Sequence, residues 1–177
     1  MNAVVAEIEA LFAEQGDESY GEGVTMLAHM LQAAALAESE GADDPLVIAA
    51  LLHDVGHFLQ PTDDSFGYHK HDRSGGDWLA RHFPPEVSEP VRLHVAAKRY
   101  LCAVEKDYFD KLSPASVYTL SQQGGPMSAE EVRAFATSLH LMSAVRLRRW
   151  DDSGKVTGIT VRDLPYYRAR MAKLVKV

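Results

Sequence analysis

The segment ALLHDVGHFL, residues 50–59, places His53, Asp54 and His57 inside an otherwise apolar run. Burying an imidazole or a carboxylate is costly unless the group is paired or binds a cation. His53 and Asp54 are adjacent, so on a helix their side chains point about 100° apart. The Asp54 carboxylate can therefore lie beside the imidazole and bridge two ions. The pattern indicates a metal site in the core.

Four other potential ligands are spread along the chain. His29 lies within LAHMLQ, His71 opens HDRSGG, His94 lies in RLHVAAKRY and Asp151 follows RLRRW. Imidazole and carboxylate ligands suit iron, manganese or zinc, and the lack of thiolates argues against a structural zinc site. Taken singly, each of these residues is more often a hydrogen-bonded structural side chain. His69 is an alternative to His71, but HDRSGG at the start of a helix favours His71.

Three candidate ligands have a cationic or hydrogen-bond-donating neighbour three or four residues away. On a helix this spacing places the two side chains on one face. The neighbours are His57, Lys98 and Arg148. Such a cluster can bind an anion even in an acidic chain, because a guanidinium forms two parallel hydrogen bonds and an ammonium supplies a point charge. The alternative is that Lys98 and Arg148 belong to solvated faces.

Helical periodicity dominates the chain, and alternating apolar patterns of β-strands are nearly absent. The residues 60–70 are polar and predict a loop, while Ser128 and Glu131 form a capping box. Asp44 is the expected N-cap of the helix that leads to His53. Helices are predicted over 3–14, about 22–40, 44–56, 72–82, 86–104, 140–150 and 163–175. The sequence thus predicts one all-α domain, a helical bundle over 1–177 with its core at about 18–155.

Composition limits the classes of partner. The 177 residues carry a formal net charge of -7, which disfavours nucleic acid and anionic membranes as partners. Cys102 is the single cysteine, which favours a reducing cytoplasm. The N-terminus is acidic where a signal peptide would be basic, and no apolar run approaches the roughly 20 residues of a membrane span. A small anionic substrate in the cytoplasm is the expected ligand.

HDVGH resembles the His-Asp signature of the HD-domain superfamily of all-α metalloproteins. In that superfamily the ligands occur in the order His, His-Asp, then a distant Asp. The positions that match this order are His29, His53, Asp54 and Asp151. His71 and His94 lie in HDRSGGDWL and RLHVAAKRYL, which resemble the contexts of the extra ligands in HD-domain diiron oxygenases.

The resemblance narrows with YGEGVT, LSPASVYTLSQQGGPMS and AVRLRRWDD, which are similar to the HD-domain mixed-valent diiron oxygenases of phosphonate catabolism. This resemblance implies two iron ions, Fe(II) and Fe(III), bridged by Asp54, with O2 as co-substrate. It implies that His29, His53 and Asp151 complete one iron site. His71 and His94 would complete the other.

The resemblance further implies oxidative cleavage of the carbon–phosphorus bond of a 1-hydroxyphosphonate to phosphate and a carboxylic acid. Tyr20 and Glu22 are then expected to close over the substrate, with Glu22 two helical turns before His29 and Met26 one turn before it. The expected phosphonate-binding residues are His57, Lys98, Ser116 and Arg148. A hydroxylase of the same pathway is the expected source of the substrate.

Family members act on 2-amino-1-hydroxyethylphosphonate, forming glycine, or on (R)-1-hydroxy-2-(trimethylammonio)ethylphosphonate, forming glycine betaine. A primary ammonium needs hydrogen-bond acceptors, whereas a trimethylammonium prefers aromatic and thioether walls. Met26 and the aromatic residues Tyr100, Tyr108 and Phe109 favour the methylated substrate.

Two other classes of function compete with an oxygenase. A metal-dependent HD phosphohydrolase acting on a nucleotide or phosphate ester would use the same His-Asp ligands and cationic residues, but with water in place of O2. A catalytically inactive ligand sensor would be expected to have lost one or more ligands, whereas all six positions are filled here.

Overall fold

The computed structural model describes residues 2–59 and 70–176. The described chain is helical and has no β-strand, apart from one isolated bridge between Ser19 and Thr25, so the predicted all-α class is confirmed. The α-helices are α1 (Ala3–Gln15), α2 (Met26–Ser39), α3 (Asp44–Leu52), α4 (His71–His82), α5 (Pro85–Val104), α6 (Pro114–Gln122), α7 (Ala129–Phe135), α8 (Leu141–Ser153) and α9 (Leu164–Leu174).

The helix α3 lies at the centre of the fold. All of its residues from Leu46 to Leu52 are buried, and helices α2, α5, α8 and α9 pack against it. A helix that is apolar on all sides must be surrounded by protein, which explains its central position. His53 and Asp54 follow its last turn directly. The fold therefore places the polar pair at the end of the most buried helix.

The start of α2 differs from the prediction. The predicted helix began near Glu22, but α2 begins at Met26, with the Thr25 hydroxyl accepting a hydrogen bond from the Ala28 amide. Gly21 and Gly23 adopt φ values of +86° and +83°, which interrupt a right-handed helix. Glu22 thus lies in a loop, and its expected position two helical turns before His29 is wrong.

Helix α3 also differs at both ends. Asp43, rather than Asp44, caps it by accepting a hydrogen bond from the Leu46 amide at 3.2 Å. The helix ends at Leu52 instead of continuing to Gly56, because the chain tightens into a 3₁₀ turn over Val55–Phe58. His53 and His57 therefore do not share one α-helical face.

Other predicted elements have mixed outcomes. The capping box of α7 is confirmed, since Ser128 and Glu131 exchange both hydrogen bonds. Helix α6 was not predicted, because its sequence PASVYTLSQ has no long apolar stripe. Residues 60–69 of the predicted loop, with His69, lie outside the described residues. Across the described ranges, no helix combines the length and apolar character needed to cross a bilayer.

Candidate metal centre

Five separate parts of the fold bring the six predicted ligands together. His29 comes from α2, His71 opens α4, and His94 lies in the middle of α5. The turn after α3 contributes His53 and Asp54, and Asp151 lies in the last turn of α8. Five of the six are buried, and the side chain of the sixth, His71, is 13% exposed. The structure thus assembles ligands that are up to 122 positions apart in sequence.

The first cluster surrounds the Nε2 atom of His29. That atom lies 3.0 Å from His53 Nε2 and 3.2 Å from Asp151 Oδ1. Oδ2 of Asp54 lies 3.5 Å from His29 Nε2 and 3.4 Å from His53 Nε2. Four potential ligand atoms from three elements therefore converge on one point.

The second cluster uses the other oxygen of the same aspartate. Oδ1 of Asp54 lies 3.4 Å from His71 Nε2 and 3.7 Å from His94 Nε2, and these two nitrogens are 3.2 Å apart. His57 Nε2 lies 3.8 Å from the same oxygen, and its ring stacks on His71. His57 therefore lies beside the second cluster. Asp54 faces one cluster with each oxygen, as a bridging carboxylate would.

Backbone carbonyls orient the rings of His29, His53 and His94. In each ring Nδ1 lies within 2.6–2.9 Å of a carbonyl oxygen, which can only accept a hydrogen bond. Nδ1 must therefore carry the proton, and in the neutral ring Nε2 directs its lone pair into the cluster. The accepting carbonyls belong to Gly154, Ala50 and Val91. Converging lone pairs repel unless a cation lies between them, so this set of ligands fits bound metal ions.

The electrostatics of the cluster lead to the same conclusion. Burial opposes protonation of His53, but Asp54 and Asp151 outweigh it and raise the pKa of His53 to about 10. Burial likewise opposes ionisation of Asp54, yet His53 and His29 hold the pKa of Asp54 well below its usual range. Two buried, ionised carboxylates thus require positive charge between them, as protons or as metal ions.

A pocket of about 320 Å³ opens beside the clusters, with Asp54, His57, His71 and Asp151 in its wall. Lys98, Ser116 and Arg148 also line it. The structure therefore brings the four predicted phosphonate-binding residues to one cavity, next to both clusters.

The two cations of the pocket are held differently. Arg148 Nη1 forms an ion pair with Asp151 Oδ2 at 2.7 Å, and Arg148 Nε donates a hydrogen bond to Asp152, which also accepts one from Tyr108. Lys98 donates to Thr119 Oγ1 at 2.9 Å and lies 3.4 Å from the carbonyl oxygen of Ser116. Arg148 is thus anchored by carboxylates, whereas the described contacts of Lys98 are to neutral oxygens.

Sequence reasoning missed some residues of this pocket. Thr119 and Gln123 line it one and two turns after Ser116, and Gln123 Oε1 is buried without a hydrogen-bond partner among the described residues. Prediction of α6 would have revealed their common face. Asp152 holds Arg148 in place, and its adjacency to Asp151 in RRWDD was the available signal.

Glu18, Tyr20, Glu22 and Met26 also line the pocket. The ring of Tyr20 stacks on His29 at 3.9 Å between centroids, and its hydroxyl lies 3.4 Å from Asp151 Oδ1. Aromatic surface comes from Tyr20 and Phe58.

The expected contribution of three other aromatic residues is wrong. Tyr100 packs against Phe135, Tyr108 bonds Asp152, and Phe109 is exposed on a 3₁₀ turn. None of them is among the described residues that line the pocket.

The helical fold and the paired histidine–aspartate clusters define the class of protein. The family model for the HD domain matches residues 26–115, and the chain belongs to the HD-domain family. This match spans the elements that contribute five of the six predicted ligands, all except Asp151.

Two relatives are named phosphonate dioxygenases. The chain is 39% identical over 181 residues to [1-hydroxy-2-(trimethylamino)ethyl]phosphonate dioxygenase (glycine-betaine-forming) of Leisingera caerulea, covering 97% of this chain and 90% of the relative. It is 42% identical over 172 residues to hydroxymethylphosphonate dioxygenase of Gimesia maris, covering 94% and 86%. The resemblance to HD-domain phosphonate dioxygenases is thereby confirmed.

Proposed function

We propose that the chain is a dioxygenase that cleaves the carbon–phosphorus bond of a 1-hydroxyphosphonate with O2. The observation that carries this proposal is the position of Asp54, whose two oxygens face two histidine clusters beside a pocket containing Arg148 and Lys98. Similarity to two phosphonate dioxygenases, over 90% and 86% of their lengths, supports it.

The reaction balances without a further reductant. The substrate R–CH(OH)–PO3H2 and O2 yield R–COOH and H3PO4, so C1 loses four electrons and O2 gains four. Two iron ions, Fe(II) and Fe(III), would supply the Lewis-acid and redox chemistry. His29, His53 and Asp151 would hold one ion, His71 and His94 the other, with Asp54 between them.

The side chains of the pocket bind and orient the substrate. Arg148 and Lys98 neutralise the phosphonate, while the Ser116 hydroxyl and the His57 imidazole supply further hydrogen bonds. Because Asp151 and Asp152 hold the Arg148 guanidinium, its position is set before substrate arrives. Positioning of this kind lowers the entropic cost of reaching the reactive geometry.

Tyr20 acts as a gate in this proposal. Its hydroxyl lies near Asp151 and its ring covers His29, so the substrate must displace it to reach the first cluster.

The C1 hydroxyl required of the substrate must come from a hydroxylation reaction on the parent phosphonate.

The proposed substrate is (R)-1-hydroxy-2-(trimethylammonio)ethylphosphonate, which would yield glycine betaine. Met26, Tyr20 and Phe58 provide thioether and aromatic surface for a methylated cation, and Glu18 adds a negative charge to the pocket lining. The 2-amino analogue, yielding glycine, and hydroxymethylphosphonate are the competing substrates.

Turnover by the purified, iron-loaded protein tests the proposal. Consumption of O2 and release of phosphate are measured with each of the three hydroxyphosphonates, with and without O2. We expect phosphate only in the presence of O2, in equal amount to the O2 consumed, and two irons per chain. Hydrolysis of a nucleotide or phosphate ester without O2, together with no reaction on the phosphonates, would instead establish a phosphohydrolase.

A further inference from the structure

The segment that follows α8 is hydrogen-bonded to α2. The Gly154 carbonyl accepts from His29 Nδ1, and the Val156 backbone exchanges two hydrogen bonds of 2.9 Å with Gln32. Between them, the side chain of Lys155 reaches Glu22, a residue that lines the pocket. Hydrogen bonds to α2 therefore fix the backbone on both sides of Lys155. This fixed backbone sets the direction of the Lys155 side chain.

Lys155 forms a tight ion pair with Glu22. Its Nζ lies 2.6 Å from Glu22 Oε2, and both side chains are nearly buried, at 12% and 13% exposure. The same ammonium lies 5.4 Å from the centre of the Tyr20 ring. Lys155 thus contacts both residues that are expected to close over the substrate, although sequence analysis gave it no role.

The carboxylate of Glu22 is paired with Lys155 before any substrate arrives. Burial opposes its ionisation, but hydrogen bonds from Lys155 and from the Ser113 hydroxyl outweigh burial and lower the pKa of Glu22. The ion pair with Lys155 ties the loop before α2 to the segment after α8. An incoming ammonium must compete with Lys155 for it.

We propose that Lys155 is a specificity-determining residue, which rests on the function proposed above. By occupying Glu22, it disfavours substrates whose nitrogen must donate hydrogen bonds and admits those whose nitrogen carries only methyl groups. A primary ammonium has three N–H donors and loses solvation without acceptors. A trimethylammonium has none, and it contacts Met26 and Tyr20 instead.

The test compares wild type with Lys155→Met, which keeps the length of the side chain and removes its charge. Values of kcat/KM are measured for the 2-amino, the 2-trimethylammonio and the hydroxymethyl substrates, and binding is measured by calorimetry without O2. We expect the preference for the 2-amino over the trimethylammonio substrate to rise about tenfold, the worth of one charged hydrogen bond. Hydroxymethylphosphonate has no nitrogen, so its constants should stay within about twofold, well below that effect.

Three further variants separate specificity from folding. Lys155→Arg retains the ion pair and should keep the wild-type ratio. Adding Glu22→Gln to Lys155→Met should abolish the gain for the primary ammonium, because the freed carboxylate is gone. Lys173→Met removes a lysine from the exposed face of α9 and should change no ratio.

An equal loss of kcat/KM on all three substrates, with unchanged ratios, would overturn the proposal and leave Lys155 a purely structural ion-pair partner. The same holds if Lys155→Arg changes the ratio as much as Lys155→Met does. Absence of both binding and turnover of any hydroxyphosphonate by the wild type would instead overturn the proposed function.

Discussion

Replacement of Gly56 by alanine tests how the second cluster is held together. Gly56 lies in the 3₁₀ turn between Asp54 and His57, where it packs against the first residue of α4. A Cβ at this position would lie 2.0 Å from the His71 carbonyl oxygen and 2.7 Å from its carbonyl carbon. Ordinary contact begins at 3.4 Å, so the backbone of one element must give way by about 1.4 Å.

That displacement exceeds what a metal site tolerates, since ligand distances are held to roughly 0.2 Å. The backbone of His71 clashes with the new Cβ, and the imidazole of the same residue is a ligand of the second cluster. We therefore expect the Gly56→Ala variant to lose the second ion. Under the proposed function, with two irons per chain, bound iron should fall to one per chain. Turnover should fall about 100-fold, as expected for a 1 Å misplacement of reacting groups. Overpacking should cost about 1–3 kcal/mol of stability.

Metal analysis by mass spectrometry, phosphate release and thermal unfolding check these outcomes. Gly16→Ala is the matched control, because its Cβ would lie 2.4 Å from the Phe12 carbonyl oxygen, at the end of α1. It should lower the unfolding temperature similarly and still bind two ions. A Gly56→Ala protein with two bound irons and unchanged turnover would refute this account of the glycine in HDVGH.

Burial lowers the pKa of Lys98 to about 7, and the positive charge of Arg148 contributes to this shift. Lys98 is then charged below that pH and neutral above it, so KM for the phosphonate should rise as pH increases through 7. Comparison with Lys98→Gln across pH 6–9 isolates this effect from the titration of the phosphonate itself. The other groups that face Lys98 are Asp151, Asp152 and Cys102. Arg148→Lys replaces a two-pronged donor by a point charge and should raise KM about tenfold in steady-state assays. Asp43→Ala should lower stability by about 1 kcal/mol, and Asp44→Ala by less, because only Asp43 caps α3; denaturant unfolding of both variants decides this.

Patterns among neighbouring residues predicted most of the helices, but they failed for the start of α2 and for α6. Helical periodicity and a capping box are properties of neighbouring residues, so α1, α4, α5 and α8 could be predicted to within a few residues. The predicted helix start at Glu22 failed because two glycines with positive φ form a loop there. Helix α6 was missed because it is short and mostly exposed, with only Ser116 and Leu120 buried.

The sequence by itself determined which residue types are available and in what order: paired His and Asp in an apolar run, further histidines, and cations near them. Those facts, with the resemblance that they support, suffice to indicate metal binding and an anionic substrate. Only the tertiary structure decided that each oxygen of Asp54 faces a different cluster and that the Lys155 ammonium pairs with the Glu22 carboxylate. These relations join residues up to 133 positions apart. Helix packing sets their distances, and no spacing along the chain encodes them.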